Sequence, residues 1–315
     1  MTAKVFIDGE AGTTGLQIQA RLKDRRDLSL LSIDEARRKD PAARAEMLNA
    51  ADLVILCLPD EAAREAVSLI SNPKVKVIDA STAHRVAPGW VYGFPESEPG
   101  RRAAIAAATR VTNPGCWSTG AIGLLRPLVR DGIAPADWPV TISGVSGYSG
   151  GGKPMIAEFE APAAGGTPAP YRIYATGLEH KHVPEIQAEA GLSGRPLMAP
   201  SVGRYYKGMI VEVPLQLWAL PGRPALADIQ ASLTKAYAGE PFVEVATRDE
   251  ADAVKTLDPE GLNGTNRMRL YAFGSEAHGQ ARLVAVLDNL GKGASGAAVQ
   301  NLNIMLGLPE DAGLN

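Results

Sequence analysis

The first third of the chain alternates short apolar runs with stretches whose apolar residues recur every three to four positions. Lys4–Asp8, Leu28–Ile33, Leu53–Pro59 and Val75–Ala80 are apolar runs of strand length rich in Val, Ile and Leu, the kind of strand buried in a parallel sheet, and Arg110–Thr112 reads as a further short strand. A segment from Gly15 to about Lys23, and then Pro41–Ala50, Glu61–Ser71 and Ala103–Ala108, carry the helical pattern. This β-α alternation predicts a doubly wound α/β domain of Rossmann type. In it, Leu53–Pro59 takes the part of strand four. Ser81–Arg85 and Val91–Glu96 are expected as loops at the ligand side of that sheet.

Past residue 116 the texture changes. Ser118–Leu124 opens a helix. Pro139–Tyr148, Tyr205–Leu217 and Phe242–Val245 read as strands, and Arg267–Phe273 with Ala281–Leu287 as a late antiparallel pair. A helix from about Ala225 to Tyr237 separates some of them, and residues 161–170, all Pro, Gly and Ala apart from one Thr, form a loop. A second, α+β domain follows from this mixture. The chain ends in a glycine-rich turn, Gly291–Gly296, and an apolar helix.

Composition narrows the partners. At 315 residues the chain suits two domains or one large one. A net charge of -3, with Lys and Arg scattered among acids, leaves no electrostatic footprint for nucleic acid. No apolar stretch approaches the ~20 residues of a membrane span. Two cysteines, Cys57 and Cys116, make neither a disulfide framework nor a zinc ligand set. The opening residues enter a strand at once, without the pattern of a signal peptide. A cytoplasmic protein acting on a small molecule is expected.

Asn113-Pro114-Gly115-Cys116 concentrates the chemistry. Pro114 and Gly115 form an elbow, and the helix that follows places the Cys116 thiol at an N-terminus. There the positive dipole end and the first N–H groups favour a thiolate and can receive an oxyanion. Cys57 lies in an apolar strand and is expected to be structural. His180-Lys181-His182 supplies two of the four histidines. With no third ligand close by, metal is not expected. His182 is instead the candidate proton carrier that a thiol enzyme needs, with Glu185 placed to orient a ring or start a helix.

Gly9, Gly12 and Gly15 stand between the first strand and the first helix at a spacing of three, a variant of the dinucleotide fingerprint. Thr13 and Thr14 share that turn, where a pyrophosphate sits on a helix N-terminus. Asp34 and Glu35 would suit the ribose of NAD, while Ser32, Arg37 and Arg38 would suit the 2′-phosphate of NADP. The residues alone balance. Pro59 and Ser81, after two further strands, and Gly293 and Ala294, in the late glycine turn, complete the cofactor candidates. The cluster Ser149-Gly150-Gly151-Gly152-Lys153-Pro154 has Pro154 where a phosphate loop needs a hydroxyl. It is expected as a flexible basic loop over a substrate.

Taken together, Gly9–Gly15, Tyr92-Gly93-Phe94-Pro95-Glu96, Asn113–Cys116, His180–Glu185 and Asn289–Ala294 make the chain resemble the short-form N-acetyl-γ-glutamyl-phosphate reductases of arginine biosynthesis, over nearly its whole length. The resemblance implies a glyceraldehyde-3-phosphate-dehydrogenase-like fold. Residues 1–115 would form the Rossmann domain, completed by a returning helix at 293–315, and residues 116–292 the catalytic and dimerisation domain. It implies NADP(H) as cofactor, an acyl phosphate substrate, a homo-oligomer (dimer or tetramer) and a thioacyl intermediate on Cys116. Arg85, Asn113, Lys153, Glu185 and Lys207 are the substrate-binding candidates. Longer members carry Asp-Leu-Ser-Ala-Asp-Phe-Arg where this chain has Asp79–Arg85, so Arg85 is kept and the second acid is not. A relative specific for aspartate semialdehyde, or a non-catalytic NADP-binding regulator, are the alternatives.

Overall fold

The structure, a computed structural model, describes residues 2–37, 40–161 and 169–314. Arg38 lies outside them, as do residues 162–168 of the Pro, Gly and Ala stretch. The chain divides into two compact units, Met1–Pro95 with Gly100–Gly115 and Ala294–Asn315, and Glu96–Pro99 with Cys116–Gly293.

The first unit holds a sheet of six strands, β1 Ala3–Asp8, β2 Leu28–Leu31, β3 Leu53–Leu56, β4 Lys76–Asp79, β5 Val91–Tyr92 and β6 Arg110–Thr112. The order is β2-β1-β3-β4-β6-β5 and every pairing is parallel. β3 therefore occupies the place next to β1 that strand four has in a six-stranded Rossmann sheet. The turn after Tyr92 is a loop, as expected, but Val91 and Tyr92 themselves add an edge strand.

Strand alternation sends side chains to two cores. Val5, Ile7, Leu53, Ile55 and Ile78 pack on one face, with Ile18 and Leu22 of α1 (Thr13–Leu22) and Val299 and Leu302 of the chain's last helix, Gly296–Leu306. Phe6, Val54, Leu56 and Val77 pack on the other, with Leu48 of α2 (Pro41–Ala50) and Ala63 and Ala66 of α3 (Asp60–Ser68). α4, Arg101–Ala107, adds Ile105 to the first core. The last helix is buried from Gly296 to Met305, which explains its near-continuous apolar sequence.

The second unit contains α5 (Cys116–Arg130), β7 (Thr141–Gly147), α6 (Gly152–Glu160), β8 (Tyr171–Ile173), α7 (Val183–Ala190), β9 (Leu197–Gly203), β10 (Met209–Gln216), α8 (Leu226–Ala236), β11 (Val243–Val245), α9 (Arg248–Ala253), β12 (Met268–Ser275) and β13 (Gln280–Leu287). The strands form one mixed sheet in the order β11-β12-β13-β10-β7-β9-β8. β12 and β13 are antiparallel, in register from Met268 opposite Leu287 to Ser275 opposite Gln280. Lys153 lies in a helix rather than a flexible loop. Tyr148–Gly151 makes a helical turn, Gly152 at φ +68° redirects the chain, and Pro154 fits the first turn of α6.

Glu96–Pro99 precedes Cys116 by some twenty residues yet belongs with the second unit, a correction to the boundary expected from sequence. Its anchor is Glu96, whose Oε1 lies 2.7 Å from Lys292 Nζ with both side chains at most 1% exposed. Glu98 pairs with Arg126 of α5.

Candidate active site

Cys116 is the first residue of α5, and its thiol is half-buried and reduced. A fifteen-residue helix brings its first N–H groups and positive dipole end to that position. Small residues let α5 lie close on the sheet. A methyl group on Gly120 would come 2.6 Å from Val211 of β10, and one on Gly123 2.7 Å from Met268 of β12. Tyr237 donates its buried hydroxyl to the Gly123 carbonyl at 2.8 Å. Gly293 closes on the thiol residue itself, for a methyl there would lie 2.7 Å from Cys116 Cβ.

α7, packed along α5, brings in the histidines. His182 is its N-cap residue and is 5% exposed. Its Nε2 is 4.0 Å from Oε1 of Glu185, a fully buried carboxylate one turn on. The His180 and His182 rings meet edge to face at 4.8 Å, and Tyr174 lies against His180 at 5.8 Å. Burial, and after it the nearby Cys116, push the Tyr174 hydroxyl well above its ordinary range, against a hydrogen bond from the Trp117 side chain. Tyr174 thus stays a protonated donor in the surroundings of Cys116 at any working pH.

In the first unit the glycines make a cradle. Gly9 has φ +89°, and a methyl on it would strike the Cys57 carbonyl at 2.4 Å; one on Gly15 would strike the Gly9 carbonyl at the same distance. Gly12 caps α1, whose first turn carries Thr13 and Thr14. Beside this turn is a cleft of about 370 Å³ bordered by Asp8, Gly9, Ile33, Arg44, Leu58 and Glu65. It lies where β2 and β3 leave β1 on opposite sides, the switch point at which doubly wound sheets bind nucleotides. Arg44 reaches Asp8 Oδ2 at 2.9 Å and Glu65 at 3.2 Å.

Two family models fit these units. Residues 4–106 match the NAD binding domain of semialdehyde dehydrogenases, and residues 116–289 their dimerisation domain. N-acetyl-gamma-glutamyl-phosphate reductase 2 of Pseudomonas putida is 55% identical over 97% of both chains. The Chelativorans enzyme named N-acetyl-gamma-glutamyl-phosphate reductase is 58% identical over 97% of this chain and 99% of its own. The chain belongs to the N-acetyl-γ-glutamyl-phosphate reductase family of semialdehyde dehydrogenases. Among solved structures, aspartate semialdehyde dehydrogenase II from Vibrio cholerae, complexed with ASA, superposes with a TM-score of 0.70 at 16% identity, covering 97% of this chain and 98% of its own. That likeness is one of fold.

Membership of the reductase family gives the geometry its frame, and the sequence candidates fall into three groups. Cys116 opens α5, and His182 and Glu185 lie at the start of α7, all in the second unit; Tyr174, which neighbours Cys116, lies against His180. Gly9, Gly12, Thr13, Thr14 and Gly15 form the cradle of the first. Ser32 is exposed just past β2, and Pro59 caps α3. Ser81 is buried, its hydroxyl donating to Asp79 Oδ2 at 2.8 Å. His84 Nδ1 is 2.6 Å from the same oxygen, and its ring stacks on Trp90 at 4.2 Å. Arg85 is buried and reaches the Ala80 carbonyl at 3.4 Å.

The remaining candidates divide between positions held within the fold and exposed ones. Asn113 is 1% exposed, and its amide donates to the Ala294 carbonyl at 2.9 Å, which ties the elbow to the start of the last helix. The structure gives Asn113 and Ala294 a holding role there. Arg37 is exposed and turned to Asp40 at 3.0 Å, away from the cleft lining. Lys207 lies 3.3 Å from the buried carboxylate of Asp288. Lys153 is exposed on α6. Tyr174, Trp117 and Arg44 escaped sequence reasoning. The first two reach the thiol's surroundings only through tertiary packing, and Arg44 had no signal beyond its place one turn into α2.

Proposed function

We propose that this protein reduces N-acetyl-γ-glutamyl phosphate to N-acetyl-glutamate 5-semialdehyde, with NADPH as reductant and release of phosphate, through a thioester on Cys116. One observation carries it: Cys116 opens α5 in the same unit that holds His182 at the head of α7, above a fully buried Glu185.

The Cys116 thiolate attacks the acyl phosphate carbonyl, and the first N–H groups of α5 receive the tetrahedral oxyanion. Collapse breaks the C–O bond to phosphate and leaves a thioester, which accepts a hydride far more readily than a carboxylate would. NADPH supplies that hydride when bound. Its pyrophosphate would lie at the N-terminus of α1, where Gly12 is the cap and Gly9 and Gly15 allow the tight turn that side chains there would block against backbone. As the hydride adduct collapses, the C–S bond breaks and His182 returns a proton to sulfur, freeing the aldehyde. Arg85, Lys153 and Lys207 are the cations we assign to the substrate's phosphate and carboxylates.

The second unit, matched by a dimerisation-domain model, serves in a homo-oligomer, a dimer or tetramer. Among the described residues no helix is long and apolar enough to cross a membrane, and a cytoplasmic location fits a biosynthetic reductase. The reverse assay tests the function. Phosphate-dependent reduction of NADP by N-acetyl-glutamate semialdehyde, and not by aspartate semialdehyde, is expected. Preference for aspartate semialdehyde would transfer the chain to the relatives it matches in fold, and cofactor binding without turnover would make it a regulator.

A further inference from the structure

His180 does more than neighbour the base. The backbone N–H of His182 donates to His180 Nδ1 at 3.1 Å. A backbone amide can only donate, so Nδ1 is an acceptor without a proton, and the ring is neutral with its proton on Nε2. The reach, from a side chain to the backbone two residues on, is that of an Asx turn made by Asn or Asp. A second bond closes the same turn, from Val183 N–H to the His180 carbonyl at 3.0 Å. α7 then starts at once, with Ile186 N–H on the His182 carbonyl at 3.0 Å. His182 is therefore set between a turn held by its neighbour's ring nitrogen and a helix that places Glu185 4.0 Å from its own Nε2. The edge-to-face contact of the two rings, with Tyr174 beyond His180, restricts the outer ring as well.

We propose that His180 is the positioning residue for His182, acting through its Nδ1 as a fixed acceptor for the His182 backbone N–H. This rests on the assignment of His182 as the proton carrier. The imidazole of His180 is needed for its acceptor atom and not for its own titration. Asn at this position, whose Oδ1 makes the same two-residue turn, should replace it, and an apolar residue of similar bulk should not.

The test is a double-mutant cycle on the full-length enzyme, with kcat, KM for the acyl phosphate and NADPH affinity measured for each variant. His180→Leu should lower kcat about 10- to 100-fold, the range that a small misplacement of a catalytic group produces, with both binding constants little changed. His180→Asn should recover most of kcat. In a His182→Asn background, His180→Leu should cost nothing further. Equal losses for the Asn and Leu variants would overturn the proposal, because the ring itself would then be acting on substrate. So would a His180→Leu loss that persists undiminished without His182. A His182→Asn enzyme with full kcat would instead remove the assignment on which the proposal rests, and is told apart by that single variant. Nitrogen NMR of the histidine-labelled wild type supplies a readout that needs no variant to fold. It should show Nδ1 of His180 unprotonated at neutral pH, and a protonated Nδ1 there would contradict the proposal.

Discussion

Cys57 and Cys116 sit at comparable places in the chain, each half-buried, just past a parallel strand and close to the start of a helix, and their surroundings differ in backbone setting and in the charges nearby. Cys57 follows β3 but stops three residues short of α3. Its N–H is bonded to the Asp8 carbonyl at 2.8 Å, and its own carbonyl is pressed against Gly9. Burial above all, and then the Asp79 and Asp8 carboxylates, push its thiol up to about 12. At neutral pH that leaves roughly one thiolate in 10⁵. Cys116 is itself the first residue of its helix, half-buried, with Tyr174, Trp117 and Gly293 around it. A strand end among acids silences a thiol, and a helix start beside donors exposes one. Three residues of chain separate the two outcomes.

The largest expected effect breaks that contrast outright. Cys116→Ser should bring turnover to background and leave NADPH affinity within a few-fold, while Cys57→Ser should keep nearly full activity. An alkylating reagent should label Cys116 and spare Cys57 from pH 6 to 9, because a raised thiol pKa keeps the neutral, unreactive form to higher pH. Labelling of Cys57 at a comparable rate would show that burial and the neighbouring carboxylates do not raise its thiol as the structure implies.

Next in size is the proton carrier. His182→Asn should lower kcat by about 10²–10⁴ and blunt its dependence on pH, with His180→Asn doing much less. A reversed order would exchange the roles of the two histidines.

Gly293 sharpens the comparison at the thiol itself. From sequence it is a cofactor candidate, yet a methyl there would sit 2.7 Å from Cys116 Cβ. Gly293→Ala should therefore depress kcat, by about 10- to 100-fold, with KM for NADPH within twofold. A rise in that KM at constant kcat would return Gly293 to the cofactor. The smallest effect concerns cofactor choice. Changing Arg37 and Arg38 together to Ala should raise KM for NADPH at least about tenfold, in keeping with the strength of Arg–phosphate contacts, and leave that for NADH nearly unchanged. Equal losses for both cofactors would point to the neighbouring Arg44, which borders the cleft.

The parallel sheet was legible because burial on both faces writes continuous apolar runs, and each strand residue of β3 is indeed fully buried. The elbow before Cys116 was legible because Pro114 and Gly115 mark a turn and a helix must follow, as α5 does. β8 and β9 were not. Tyr171 and Ile173 stand exposed on an edge strand, and Pro200, Ser201 and Gly203 break the apolar pattern of β9 even though its second half is buried. The helical start of α6 hid among glycines that look flexible in sequence. Side chains such as Tyr174, and pairs such as Asp79 with His84 or Glu96 with Lys292, depend on packing across the fold. No local pattern records them.

The thioester on Cys116 is tested most directly by mixing the enzyme with N-acetyl-γ-glutamyl phosphate in the absence of NADPH, quenching rapidly in acid, and measuring the mass of the Cys116 peptide. The account predicts one N-acetylglutamyl group per active chain on that peptide, one equivalent of phosphate released in the same burst, and loss of the adduct as aldehyde on adding NADPH. No adduct and no phosphate burst, in an enzyme that turns over fully once NADPH is present, would contradict it.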